Sequence, residues 1–399
     1  MSESVRPAAT EWSDDEVMLR DMVKRFAAKE VAPLVSKMDK EGKMDGSMLK
    51  QLFEAGFMGV EVEDKYGGGE MSFTQTCIVV EELSKVDASV SLVVDIHNTL
   101  NNRVVERWGT DSQKSKWLSQ MATTSLSSFC LSEASSGSDA FALKTTAKQQ
   151  GDHYVLNGSK MWISNAAEAD VFILFATVDE SLRHKGITAF ILDAKQPGVH
   201  VGKKEDKLGI RASSTCEVRF DDVKVAKDAV LGSPGEGYRI AIQALNEGRI
   251  GAEAGMFLSM RDSQLLCSSF FSFSDQASDS LCLHGEQFGK PISEFQGLQF
   301  QVAEVCAELE AAKVLVYNAA RLKDSGAPFV KEAAIAKLIS SKTSEKVASK
   351  CVEWMGGVGF TTDYAVEKYF RDSKIGQIYE GTTNIHLQTI WKLIEKEYA

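Results

Sequence analysis

The chain of 399 residues has no basic excess: 45 Lys and Arg stand against 56 Asp and Glu, a net charge of -11. A nucleic-acid or anionic-membrane partner needs a basic face that displaces counterions, so neither is expected. The seven cysteines, Cys77, Cys130, Cys216, Cys267, Cys282, Cys306 and Cys351, show no C-x-x-C spacing. Neither a zinc site nor a disulfide framework is indicated, and a reducing compartment fits best. The six histidines are dispersed, with no H-E-x-x-H pattern, so metal catalysis is not expected. No apolar run approaches the length that crosses a bilayer, which argues against stable membrane insertion. There is no internal repeat, and the one biased stretch is residues 263–280, rich in Ser, Phe and Asp. The first residues carry acidic groups and a single arginine, unlike a transit peptide.

What is present divides into three parts. Ser13-Asp14-Asp15-Glu16 is a capping-box pattern, and Leu19, Met22, Val23 and Phe26 follow at helical spacing. Similar runs over Ser47–Gly56, Phe73–Lys85 and Asp111–Met121 predict an α domain over residues 1–125. Residues 126–235 turn to short β-type runs: Tyr154–Leu156 ending in an Asn157-Gly158 turn, Val171–Ala176, Ile187–Leu192 and the alternating Cys216–Phe220. The segment from Leu231 to Gly237 has linker composition, and helical periodicity resumes at Tyr238. Leu298, Val302, Val305, Leu309, Ala312 and Val316 form a bundle seam, and Asp324–Pro328 breaks the helical pattern before Phe329. The expected architecture is multi-domain α+β: an N-terminal α domain, a middle β-barrel-like domain, and a C-terminal four-helix bundle over residues 236–399.

Five segments have the residue types that chemistry needs. Glu380 sits between an aromatic and Gly381, and a glycine there removes the side chain that would crowd a ligand. Such a carboxylate either abstracts a proton or is simply solvated near a helix start. The loop from Phe129 through Cys130, Leu131, Ser132 and Glu133 to Gly137 and Ser138 is small and hydroxylated. It either donates backbone N–H groups to a phosphate or flavin edge, or is a solvated interdomain loop. Trp162, Ile163 and Ser164 put an indole beside a hydroxyl on a predicted strand; the indole stacks on a planar cofactor or is core. In Asn246-Glu247-Gly248-Arg249, Arg249 holds a ligand carbonyl or phosphate, or makes a surface ion pair. Gly356, Gly357 and Gly359 permit close backbone approach, as a plain loop also would.

Taken in order, these segments resemble the acyl-CoA dehydrogenase family over nearly the whole chain, nearest to its branch for short and 2-methyl-branched acyl-CoA. The likeness is carried by F-C-L-S-E-A, L-N-G-S-K-M-W-I-S, R-A-S-S-T-C, L-N-E-G-R-I-G, V-E-W-M-G-G-V-G and V-E-K-Y-F-R-D. The resemblance implies FAD bound at a subunit interface of a homotetramer, an acyl-CoA substrate, electron-transfer flavoprotein as partner and residence in the mitochondrial matrix. It implies Glu380 as the base that takes the α-hydrogen. Phe129 to Ser138 and Trp162 to Ser164 would cradle the flavin. Glu353, Trp354, Met355, Gly356, Gly357, Gln296, Thr382, Thr383 and Asn384 would hold the rest of the cofactor. Ser138, His184, Tyr238, Asn246, Glu247, Gly248, Arg249 and Gly381 would line the substrate site. Some relatives place their base at the position before Arg249; here it is Gly248.

Between Gly251 and Gln287 the chain departs from the family pattern. Gly285 stands where relatives have a phosphate-binding arginine, and weak helical character near Ser269–Asp275 predicts that a bundle helix gives way partly to a loop. Two readings follow: an active FAD-dependent dehydrogenase, or a chain that keeps the fold with impaired FAD binding or assembly. An acyl-CoA oxidase is a third, disfavoured by chain length.

Overall fold

A computed structural model of the chain describes residues 9–271 and 286–399. Helix α1 (Asp14–Phe26) starts as its sequence predicts. Ser13 N–H donates to Glu16 Oε2 at 3.0 Å and Glu16 N–H donates to Ser13 Oγ at 3.3 Å, a reciprocal cap for two otherwise orphaned donors. Helix α2 (Phe73–Ser84) repeats the device with Ser72 and Gln75. Its first turn is also held from a distance, because Asp324 accepts from Phe73 N–H and Thr74 N–H, both at 2.9 Å. A carboxylate at a helix N-terminus satisfies open donors and complements the dipole, so this contact fastens the first third of the chain to the last. Helix α3 (Ala88–Asp95) continues through a π-helical stretch over Ile96–Asn102. It is buried all round, including Asp95, His97, Asn98 and Thr99. The run Asp111–Met121 is helical throughout, with Asp111–Gln113, Lys114–Leu118 and Ser119–Thr123 α, π and α in turn.

The middle of the chain forms one eight-stranded sheet in the order β6-β7-β3-β2-β4-β5-β8, with β1 paired to β4. The strands are β1 (Ser127–Cys130), β2 (Thr146–Gln150), β3 (His153–Ser164), β4 (Val171–Thr177), β5 (Ile187–Asp193), β6 (Val199–Lys204), β7 (Thr215–Ala226) and β8 (Val230–Leu231). Asn157-Gly158 is not a turn. Strand β3 runs straight through it with a register shift against β7, and the hairpin from β2 turns earlier, at Gly151-Asp152. Gly158 is required by packing: a Cβ there would lie 2.6 Å from Thr145 Oγ1.

The last third is the helical bundle. Its long helices are α4 (Gly237–Phe271), α5 (Gln296–Asp324), α6 (Val330–Met355) and, after the short α7 (Val366–Ser373), α8 (Thr383–Tyr398). The predicted seam on α5 is buried at Val305, Leu309, Ala312 and Val316, while Leu298 and Val302 are half-buried. Each Val or Leu buried there stabilises the bundle by about 2 kcal/mol. Helix α4 continues unbroken to Phe271, so the loop predicted near Ser269–Asp275 does not begin before that residue; residues 272–285, with the rest of that run and Gly285, lie outside the described residues. One core joins both helical regions, running from Leu19, Val23 and Phe73 to Leu309, Val316 and Val347. The sheet is therefore an insertion, in chain order, between two halves of one helical body.

Candidate active site

The chain reaches Glu380 through α7 and a 3-10 turn over Lys374–Gln377. Glu380 has φ +52° and Gly381 φ +99°, so two consecutive residues are left-handed and the backbone reverses sharply before α8. A left-handed glutamate is strained, and the strain is tolerated only where surrounding contacts over-determine it. Those contacts are visible. Arg249 Nε donates to the Glu380 carbonyl at 3.4 Å, and His386, buried on α8, hydrogen-bonds the Gly381 carbonyl through Nε2 at 2.8 Å. Burial pulls His386 down to about 3, which leaves the ring neutral and Nε2–H as the donor.

The Glu380 side chain points toward α4. Its Oε2 is buried, has no hydrogen-bond partner among the described residues, and lies 3.1 Å from where a Cβ on Gly248 would stand. Burial raises the carboxyl to about 7, against the opposing charges of Arg249 and Lys337. An unpartnered carboxylate oxygen with that affinity can take a proton near neutral pH. Asn246 and Arg249, three residues apart on α4, share the face: Arg249 Nη1 donates to Asn246 Oδ1 at 2.8 Å. Glu247 does not. Fully buried on the opposite side, it meets Arg103 Nε at 3.3 Å, Lys323 Nζ at 3.5 Å and also Arg107, so its carboxylate is committed to an ion-pair network rather than a substrate.

A second element stands at the edge of the sheet. Strand β3 shifts register between Lys160 and Ile163, and Trp162 takes φ +65° in that irregularity. The indole is consequently 58% exposed, so it is displayed rather than used as core. Met161 N–H donates to the Ser132 carbonyl at 2.9 Å, which brings the Phe129–Ser138 loop beside Trp162. Ser132 and Ser164 are half-buried there, and Gly137 and Ser138 are exposed. Cys130, Leu131 and Ile163 put their side chains into the core, leaving only backbone for a ligand. Phe129 stacks on Phe175 with ring centroids 4.9 Å apart. Glu133 is a brace. It accepts from Lys144 N–H at 2.7 Å, Thr145 N–H at 2.9 Å and Thr145 Oγ1 at 2.6 Å, and meets the fully buried Lys160 ammonium at 2.8 Å. Burial alone would raise its carboxyl, but Lys160 and these donors outweigh burial and hold it below its ordinary value.

The other expected positions fall into three groups. Tyr238, at the start of α4, is 38% exposed and packs against Phe141 at 4.3 Å and the exposed His184 at 5.1 Å between ring centroids. Gln296 opens α5 and Glu353–Gly357 close α6, and Trp354 Nε1 donating to Gln301 at 3.3 Å draws these two ends together. None of these hydrogen-bonds to Trp162, Ser164 or Glu380. Glu353 pairs with Lys350 at 2.6 Å, Met355 is in the core, and Gly356 and Gly357 are exposed. Thr382 and Thr383 are half-buried and Asn384 exposed where α8 begins, and Thr382 makes no side-chain cap. Leu100, Asp95, Lys337 and His386 are the site neighbours that sequence reasoning passes over. For Asp95 and Lys337 the signal is a polar residue inside an apolar helical run, visible in V-V-D-I-H-N-T-L and A-I-A-K-L.

Family models for the N-terminal, middle and C-terminal domains of acyl-CoA dehydrogenase match residues 13–125, 128–223 and 235–394. The chain belongs to the acyl-CoA dehydrogenase family. It is 51% identical over 387 residues to the mitochondrial short/branched chain specific acyl-CoA dehydrogenase of Rattus norvegicus, covering 97% of this chain and 87% of that one. The solved butyryl-CoA dehydrogenase from Megasphaera elsdenii superposes with a TM-score of 0.90 at 37% identity, covering 96% of this chain and 99% of that one. A glutaryl-CoA dehydrogenase from Mycobacterium smegmatis in complex with FADH2 has a TM-score of 0.87 at 26% identity, covering 96% and 95%.

Within this acyl-CoA dehydrogenase, the proximity of Gly248 to Glu380 has a consequence. Gly248 and the Glu380 carboxylate converge on one point, and the missing side chain at Gly248 leaves that point to the carboxylate. A Cβ at Gly248 would also lie 2.6 Å from Cδ2 of the buried Leu100. G248A is therefore expected to displace the carboxylate and lower kcat by about 10- to 100-fold, with flavin content unchanged. Normal kcat in a correctly folded, flavin-loaded variant would contradict this geometry.

Proposed function

We propose that this chain oxidises short and 2-methyl-branched acyl-CoA to the trans-2-enoyl-CoA, with Glu380 as the base and FAD as the oxidant. The observation that carries the reading is the Glu380 Oε2 atom, buried, unpartnered and aimed across Gly248. Trp162 fits the cofactor: a flat ring system needs an apolar face to stack on and polar groups at its rim, and the displayed indole has Ser132 and Ser164 beside it. Phe129–Ser138 and Trp162–Ser164 would hold the flavin ring, and Gln296, Glu353–Gly357 and Thr382–Asn384 the remainder. The chemistry FAD supplies when bound is acceptance of a hydride from the substrate's β-carbon.

The chain's own residues do the rest. Ser138, Tyr238, His184 and the Asn246–Arg249 face would orient the thioester, and holding the reacting carbon against a fixed base removes much of the entropic barrier. Glu380 takes the pro-R α-proton. The negative charge then developing on the thioester oxygen needs donors fixed in advance, and the Glu380 N–H would be one. The left-handed backbone at Glu380 and Gly381 positions carboxylate and amide together, which a relaxed helix start would not.

Anaerobic addition of 2-methylbutanoyl-CoA to the yellow holoprotein is expected to bleach the flavin. Flavin-loaded protein that stays yellow would defeat the proposal. Because Glu380 must lose its proton before it can act, kcat/KM should rise with pH along a single acid limb centred at about 7. A limb near the ordinary carboxylate value of 4.5 would show that burial does not set the base.

Electron-transfer flavoprotein is the proposed electron acceptor, a homotetramer the proposed assembly, the mitochondrial matrix the proposed compartment, and isoleucine catabolism the proposed setting. Support for assembly comes from large apolar side chains left bare on the helical part: Phe288 is 95% exposed, Phe360 85% and Trp391 62%.

A further inference from the structure

Behind the Glu380 loop lies a charge that the proposed chemistry does not use. Lys337, on α6, is fully buried, and so is Glu253, on α4, with 2.7 Å between Nζ and Oε1. Glu253 belongs to the stretch where the sequence leaves the family pattern. The ammonium has two further partners, and both lie just before the base in the chain. It donates to the Gly376 carbonyl, and it sits 4.9 Å from the centroid of the Tyr379 ring. A buried cation is retained only where its partners satisfy it, and the partners chosen here are the 3-10 turn and the aromatic that carry Glu380.

We infer that Lys337, seated by Glu253, is a positioning residue for the base: it ties the Gly376–Tyr379 turn to α6 and places positive charge behind the Glu380 carboxylate. The inference rests on the role proposed above for Glu380.

The charged and titratable groups around Glu380 come from every element packed there. Helix α3 supplies Asp95, which accepts from Thr99 Oγ1 at 3.1 Å. Arg249 and Glu253 come from α4, Lys337 from α6, Tyr379 from the loop and His386 from α8. Burial, with anionic neighbours adding to it, pushes Asp95 and Tyr379 well above their ordinary values, and burial leaves His386 uncharged. Arg249 and Lys337 are then the cations that favour a charged Glu380. Glu253, raised by burial to about 7, offsets Lys337 in its ionised form. Removing the lysine and removing its counter-ion must therefore act on Glu380 in opposite senses. Loss of a cation disfavours the carboxylate, whereas loss of the anion strengthens the field of the cation that remains.

The test is the pH dependence of kcat/KM for 2-methylbutanoyl-CoA in flavin-loaded wild type, K337M, K337R and E253Q. It is paired with an infrared titration of the protonated-carboxyl band that E380Q removes. K337M is expected to move the acid limb and the infrared midpoint up by about one pH unit, K337R to restore them, and E253Q to move both down. A part that merely holds the fold would lower kcat without displacing the limb. If K337M yields no folded protein, the K337M/E253Q pair, which removes both members of the ion pair, replaces it and should show a smaller upward displacement, because the two losses oppose each other. Coincident limbs in an active wild type and its variants, or displacements of the same sign for K337M and E253Q, would overturn the inference. A wild type that never bleaches its flavin defeats the proposed function instead, and the infrared midpoints still decide the role of Lys337.

Discussion

E380Q, which removes the base proposed above, is expected to abolish turnover while leaving the holoprotein intact: kcat should fall by about a thousandfold or more, the upper range for removal of a general base. The isosteric amide keeps the shape of the loop, because the contacts that fix it, from Arg249 and His386, are to the backbone carbonyls of Glu380 and Gly381. The flavin spectrum and acyl-CoA binding should therefore survive. The same substitution has an effect on stability whose sign is opposite to that of most carboxylates. Glu380 is raised to about 7 from an ordinary 4.5, so the folded state holds the proton more tightly than the unfolded chain. Stability tied to this group is present below 4.5 and declines as pH rises toward 7. Above that range E380Q should be the more stable protein, by on the order of 2 kcal/mol, and the difference should vanish in acid. Denaturant melts at two pH values decide it, and a variant that is inactive but less stable at every pH would point to collapse of the loop instead.

K160M is expected to give the second large effect, this time on the edge proposed to bind the flavin. Lys160 is fully buried on β3 and satisfies both Glu133 and the Leu131 carbonyl, the latter at 3.0 Å. Removing one partner of a buried ion pair leaves the other charge uncompensated, a loss of about 3–5 kcal/mol. Three remaining donors from Lys144 and Thr145 still serve Glu133, so the lower end of that range is expected. The functional consequence follows from position. The Glu133 brace lies one residue from Ser132, whose carbonyl accepts from the residue before Trp162. K160M should therefore melt at lower urea concentration and lose flavin on gel filtration, while E133Q/K160M should recover part of the stability. Unchanged flavin retention would separate the brace from the cofactor site.

Much of the fold was legible because its signals are local. The caps at Ser13 and Ser72 need only residues three apart, and the break at Asp324–Pro328 needs only a run of poor helix formers. The misreadings share one cause. Asn157-Gly158 has the composition of a hairpin turn, yet its glycine answers to Thr145 across the sheet. Glu247 sits among site residues in sequence, but the helical repeat turns it toward Arg103 and Lys323 on the other face. Weak helical character near Ser269–Asp275 predicts a partial loop, and α4 nonetheless runs on to Phe271. Trp162 was open between core and display, and only the register shift in β3 chose.

Sequence alone settled which chemical groups this protein owns: a lone glutamate before a glycine near its end, a hydroxylated loop, an indole beside a serine, and the order of three structural regions. Those are properties of residue types and short-range spacing, which survive without coordinates. Tertiary structure decided that the Glu380 oxygen faces Gly248 rather than solvent, that its proton affinity is raised, and that Lys337 and Glu253 stand behind it. Burial and charge are sums over neighbours that include Lys337, 43 positions away along the chain, and Asp95, 285 positions away, and no local pattern encodes them.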